Sequence, residues 1–197
     1  MTQPHYLNVW RQLHLIDDEN RQECRSMYRA HRDLFLKTQG STNNHQAWLG
    51  GYDDHIKEIM NIAKATYELF NSLRPLPFTL SDVLLVLFLH DIEKPWKYCN
   101  AESGQMMVRA ELVDKEAQHQ FRAEIIAKYD IHLTEEHKCA LRYAEGEGSD
   151  YSSEHRMMNE LGALVHICDV ASARLWPNHP LIENDPWDGA ERSVYNV

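Results

Sequence analysis

The sequence predicts an all-α protein built as a single domain. Three observations carry this reading. Apolar side chains recur at helical spacing along most of the chain, no stretch alternates like a half-buried strand, and Gly or Pro punctuates the periodic segments at their ends. With 197 residues, 43% of them hydrophobic and 25% charged, the chain has a globular composition and can bury a sizeable core. No internal repeat or low-complexity segment divides it.

Residues 7–37 carry a helical apolar pattern with a break near Asp17 and Asp18. Gln39, Gly40, Ser41, Thr42, Asn43 and Asn44 form a loop. Gly50 and Gly51 give a tight turn, and Asp53 and Asp54 then place carboxylates in the first turn of a new helix, where the dipole favours them. Ile56, Ile59, Met60, Ala63, Tyr67 and Phe70 make one stripe of that helix, which stops before Pro75 and Pro77. Thr79, with Asp82 three residues later, marks the next helix start. Residues 80–93 are apolar on nearly every side, the profile of a central helix, and Pro95 limits them. Residues 105–129 and 134–144 read as two further helices, with Gly146 and Gly148 breaking the pattern after them. Residues 153–176 read as a last long helix, followed by Pro177, Pro180 and a polar, irregular tail over 180–197.

The formal net charge of -10 disfavours a long nucleic acid as partner, because a duplex-binding surface is normally basic. A small anion remains compatible, since a bound metal and a few Lys or Arg reverse the local field. No apolar run approaches the roughly 18 residues of a spanning helix. The N-terminal segment has neither a continuous apolar core nor a small-residue cleavage site, so no membrane association and a cytoplasmic location are expected. Cys24, Cys99, Cys139 and Cys168 are widely spaced, which reads as free thiols in a reduced compartment. A homo-oligomer stays open.

The chemistry concentrates in three places. His90 and Asp91 close the apolar run Leu87–Phe88–Leu89, ahead of Lys94. His55 stands in the first turns of the preceding helix, after Gly50–Gly51. Asp169 lies in the mostly apolar segment Ala163–Leu164–Val165–His166–Ile167–Cys168–Asp169, where a lone carboxylate is costly unless hydrogen-bonded or bound to a cation. Each has a bland counterpart: a helix end turning polar, a capped or exposed aspartate, a lysine satisfying the helix dipole.

Taken in order, His, His-Asp and Asp resemble the HD-domain superfamily of metal-dependent phosphohydrolases. Gly50–Gly51 to His55 is similar to its Gly-Gly-x-x-x-His entry, and Leu89–His90–Asp91 with Lys94 to its Leu-His-Asp-x-x-Lys motif. Leu164 to Asp169 is similar to the segment carrying the last aspartate. The resemblance implies a single HD-type helical bundle over 1–197, with N-terminal helices over 5–38, a ligand-bearing core over about 45–176 and the tail over 180–197. It implies His55, His90, Asp91 and Asp169 as ligands of one divalent transition metal, for which a mixed imidazole and carboxylate set suits Mn, Fe, Zn, Co or Ni. It implies hydrolysis of a phosphate ester or anhydride of a small molecule, a nucleoside mono- or triphosphate by family tendency, through a metal-activated water.

Around these ligands, Asp91, Lys94 and His45 are expected in catalysis, Asp91 by orienting water and His45 by protonating a leaving group. Lys94, Lys97, Arg109 and Arg122 are expected to contact phosphate, with Arg174 a weaker choice, and Trp48 to stack on a base. His166 reads as packing behind the ligands. His119 is the residue through which a second metal could be held, and Glu145 or Glu147 stands where relatives carry another histidine. Alternatives are a phosphodiesterase for cyclic or short oligonucleotides, an HD-type di-iron oxygenase, and a catalytically silent binding module. The missing histidine near Glu145 counts against the oxygenase, and retention of all four ligand types counts against the silent module.

Overall fold

The structure, a computed structural model, describes residues 4–100 and 106–194. Helix α1 (Val9–Gln12) runs through a 3-10 turn into α2 (Asp18–Phe35), so the break near Asp17 falls where expected. The irregular loop after α2 leads to α3 (Gly51–Leu73), which Gly50 opens from a left-handed conformation at φ 81°. A Cβ on Gly51 would collide with the backbone carbonyl of Gln46, so the second glycine is required by close approach of the loop.

Helix α4 (Leu80–Leu89) begins with a capping box in which Thr79 and Asp82 satisfy each other's backbone N–H. Val83 through Leu89 are all buried, none more than 2% exposed. This all-round apolar helix packs against α3, α7 and α8 and forms the centre of the core. It is shorter than expected. The chain leaves α4 at Leu89, turns through residues 90–93 and starts the short helix α5 (Lys94–Lys97). Pro95 lies in the first turn of α5, where its missing N–H costs nothing, and therefore opens a helix rather than limiting one.

The helix expected over 105–129 is corrected in its first half; Gln105 itself lies outside the described residues. Strands β1 (Tyr98–Asn100) and β2 (Met106–Val108) pair antiparallel, Tyr98 opposite Val108. The carbonyl of Lys97 accepts from the Arg109 N–H at 2.9 Å and prolongs the ladder. Helix α6 (Lys115–Lys128) starts only where the Asp114 carboxylate caps the N–H groups of Glu116 and Ala117. Helix α7 (Glu135–Arg142) follows with Thr134 as its N-cap.

Helix α8 (Glu160–Val170) also starts later than expected, at Asn159, whose side chain accepts from the Gly162 N–H. Residues 153–159 form a loop instead, held by the Ser152 hydroxyl and by Glu147, which accepts from the Met158 N–H. After Val170 the helix widens into a π-turn over Ala171–Leu175, an irregularity frequent at functional sites.

The tail lacks regular secondary structure, as expected, but it is bound to the core. The Ser193 hydroxyl donates to Asp53 at 2.5 Å and its N–H to Asp54 at 2.7 Å, while Lys57 donates to the Glu191 carbonyl at 2.6 Å. Asp53 and Asp54, expected only to face the helix dipole, are thus buried acceptors at 4% and 0% exposure. The Trp187 indole donates to the Pro4 carbonyl and packs edge-on against Tyr6. No described helix is long and apolar enough to cross a membrane. Cys24, Cys139 and Cys168 are free thiols.

Candidate metal centre

Three elements deliver the side chains that converge. Helix α3 presents His55, fully buried, one turn after the double glycine. Helix α4 ends in His90 as its C-cap, with Asp91 following in the turn. Helix α8 presents Asp169 in its last turn. One ligand atom each from His55, His90 and Asp169 lie within 4.8 Å of one another. Asp169 Oδ1 is 3.1 Å from His55 Nε2 and 3.7 Å from His90 Nε2. Asp91, the fourth expected ligand, stands at the side of this triad. Its Oδ2 is 3.1 Å from His90 Nε2 and 3.9 Å from His55 Nε2, and takes an ion pair from Lys94 at 2.5 Å.

The donor set fits a divalent metal. His55 Nε2, His90 Nε2 and Asp91 Oδ1 are buried without a hydrogen-bond partner, since the close nitrogen–oxygen approaches are not aligned as hydrogen bonds. Leaving such atoms unsatisfied costs about 1–3 kcal/mol each, so the two imidazole nitrogens that meet beside Asp169 call for a common partner. The other ring nitrogens are accounted for. His90 Nδ1 lies 2.8 Å from the Leu87 carbonyl, which can only accept, so Nδ1 carries a proton and Nε2 is the nitrogen turned to the cluster.

The field in the cluster favours a cation. Burial works against ionising Asp169 and Asp91, but the two imidazoles, and for Asp91 also Lys94, outweigh it and hold both carboxyls below the usual range. Burial likewise opposes charge on His90 and Lys94. The carboxylates prevail there too, raising His90 to about 10 and Lys94 above its ordinary value. His55 goes the other way: burial lowers it more than Asp169 raises it. Two carboxylates therefore stay ionised inside apolar walls.

His45 lies against this cluster, its ring centroid 4.8 Å from that of His55. Burial, then the neighbouring His55 and Lys94, push it down to about 4. It is neutral at pH 7 in these surroundings. Trp48 is half-buried and already carries a cation on its ring. The Arg192 guanidinium covers its ring at 3.7 Å, and its indole N–H donates to Asp54.

The expected phosphate contacts separate. Lys94 is at the cluster. Lys97 is half-buried and donates to Gln118 at 3.2 Å. Arg109 and Arg174 are exposed on the surface. Arg122 is buried, with its Nε on Glu93 at 3.1 Å and an Nη on the Leu141 carbonyl, so these donors are committed to the fold. His119 is exposed on α6 and lines a cavity of about 750 Å³ with Arg122, Ile126, Leu141, Tyr143 and Glu145. None of the converging ligands lines that cavity, and among the described residues His119 belongs to no group of three potential metal ligands. Glu145 is exposed and paired with Lys115. His166 Nδ1 donates to the Ala144 carbonyl at 2.9 Å rather than to the cluster.

Two residues of the site escaped the sequence reading, Gln46 and Ser172. Ser172 Oγ lies 3.3 Å from His55 Nδ1, and Gln46 Nε2 donates to the same oxygen at 3.2 Å. Ser172 follows Asp169 by three residues, a spacing that shares a helix face and could have marked it. Gln46 has no such signal. Comparisons with known protein families, with curated proteins and with solved structures return no match.

Proposed function

We propose that this chain is a divalent-metal-dependent phosphohydrolase that cleaves a phosphate ester or anhydride of a small molecule, with a nucleotide as the preferred class. The observation that carries this reading is the meeting of His55, His90 and Asp169 at one buried point, with Asp91 and the cation Lys94 beside it. The ordered resemblance of these residues to HD-domain phosphohydrolases supplies the reaction class. The mixed nitrogen and oxygen donors suit Mn, Fe, Zn, Co or Ni.

When bound, such an ion supplies Lewis-acid charge and lowers the pKa of coordinated water. His55, His90 and Asp169 would hold it, and Asp91 would join through its unpartnered Oδ1. Lys94 keeps Asp91 ionised and carries three N–H donors, of which only part are spent on that carboxylate. It is the side chain placed to bind a phosphoryl oxygen. His45, its ring 4.8 Å from that of His55, would be the imidazole that protonates the leaving group.

A release assay tests this. Protein loaded with Mn, Co, Zn or Mg is offered nucleoside mono-, di- and triphosphates and cyclic nucleotides. Phosphate, pyrophosphate or triphosphate should be released, with both metal and turnover lost in Asp91→Ala. Metal binding without hydrolysis of any member, or full turnover in Asp91→Ala, overturns it. Ring opening of a cyclic nucleotide alone would make it a phosphodiesterase.

A further inference from the structure

Gln46 is fully buried in the loop before α3, at a positive φ of 40° that only its surroundings justify. Its side-chain amide can be oriented without seeing hydrogens. Nε2 lies 3.0 Å from the His179 carbonyl and 3.4 Å from the Trp176 carbonyl, and both can only accept. The amide nitrogen therefore faces them, and Oε1 faces the other way, 2.8 Å from His45 Nδ1. An amide oxygen only accepts, so the His45 proton sits on Nδ1 and its Nε2 keeps the lone pair.

The same amide nitrogen donates to Ser172 Oγ at 3.2 Å. That turns one lone pair of the hydroxyl toward Gln46, and where His55 Nε2 serves as a metal ligand the other accepts from His55 Nδ1 at 3.3 Å. His55 then carries its proton on Nδ1, and its Nε2 lone pair is left for an ion shared with Asp169 and His90. The Gln46 N–H also donates to the Pro177 carbonyl at 2.7 Å. Chain from beyond α8 thus grips Gln46 from both its backbone and its side chain.

We infer that Gln46 is a positioning residue that sets the tautomers of both His45 and His55, acting on His55 through Ser172. The inference rests on the metal reading of the site, though not on the reaction. Loss of a hydrogen-bond partner behind a ligating histidine typically weakens metal binding 10–100-fold.

The test uses the full chain and the metal alone. Zn²⁺ affinity is measured by competition with a chromophoric chelator for wild type, Ser172→Ala, Gln46→Met and the double variant. Each single variant should lose roughly 10–100-fold, and the double variant no more than Gln46→Met, because both act on one bond. Ring-nitrogen NMR of the Zn²⁺-loaded protein reads the tautomers directly: His45 and His55 should be protonated at Nδ1 in wild type, and His45 should lose that preference in Gln46→Met only. Ser172→Ala removes one small polar atom and serves as the variant that keeps the fold, checked by its melting temperature in chelator. Wild-type affinity in Ser172→Ala, or His45 unchanged in Gln46→Met, overturns the inference. A wild-type protein that binds no Zn²⁺ overturns it together with the metal site, whereas one that binds Zn²⁺ tightly but releases no phosphate leaves it standing and sinks only the phosphohydrolase reading.

Discussion

Replacing Asp91 with asparagine should destabilise the protein even with every metal ion removed. Lys94 Nζ meets Asp91 Oδ2 at 2.5 Å, with the two side chains only 12% and 3% exposed. Loss of the carboxylate leaves a buried ammonium without its counter-ion. His90 also loses a negative neighbour, but it can shed its proton more readily than Lys94. A pair of unit charges about 4 Å apart at an effective dielectric near 20 is worth about 4 kcal/mol. Removing one member of a buried pair costs about 3–5 kcal/mol. For a chain of this size each kcal/mol moves the melting temperature by about 2–4 °C, so Asp91→Asn should melt about 6–20 °C below wild type. The assay is thermal and urea unfolding in excess chelator. The double variant Asp91→Asn, Lys94→Met should recover at least about 2 kcal/mol of the loss, because the stranded charge is gone. An Asp91→Asn protein melting within about 2 °C of wild type, or no recovery in the double variant, would refute the argument that this ion pair is buried and coupled.

Three further outcomes are expected. Zn²⁺ or Co²⁺ at about a hundred times its Kd should stabilise wild type by about 2.7 kcal/mol, raising the melting temperature by about 5–11 °C, and His55→Ala should abolish the shift; an equal shift in that variant would place the ion elsewhere. Burial pushes Glu58 up to about 6 from 4.5, against the hydrogen bond from Tyr6. A carboxyl raised on folding favours the native state below its unfolded value and loses that contribution as pH rises through its folded one. Wild type measured against Glu58→Gln should therefore lose about 2 kcal/mol of relative stability between pH of about 4.5 and 7, and a flat difference in urea unfolding contradicts this. Gly51→Ala drives a methyl into the Gln46 carbonyl and should cost about 1–3 kcal/mol while weakening Zn²⁺ binding, whereas unchanged binding would uncouple that loop from the metal centre.

His90, Asp91 and Asp169 stand out in the sequence because each breaks a local rule, whereas His55 is marked only by its place in the ordered motif. His90 and Asp91 end the most apolar helix, and Asp169 interrupts another. Apolar context makes a polar side chain informative, since burying it is costly without a partner. The capping box at Thr79 and the break at Asp17 were legible for a similar reason, being set by residues three or four apart. The β1–β2 hairpin was not, because strands of three residues carry too few alternations to register. The late start of α8 was hidden because the cap Asn159 sits inside an otherwise continuous pattern. Gln46 was invisible in principle: its partners Ser172, Trp176 and His179 lie more than a hundred residues away, and nothing local encodes them.

The docked tail has a consequence for the order in which the molecule assembles. Asp53 and Asp54 open the helix that carries His55, and their buried carboxylates take donors from Ser193, some 140 residues later. The Lys57 ammonium likewise finishes its hydrogen bonds on Glu191 and Ser193. A nascent chain can form α3 early, and Asp53 and Asp54 can meet Tyr28 and Trp48, but their hydrogen bonds from Ser193 form only once residues 191–193 have been synthesised. Closing so long a loop is entropically slow. Final ordering of the first turns of α3, and with them of His55, therefore waits on a long-range closure with residues 191–193.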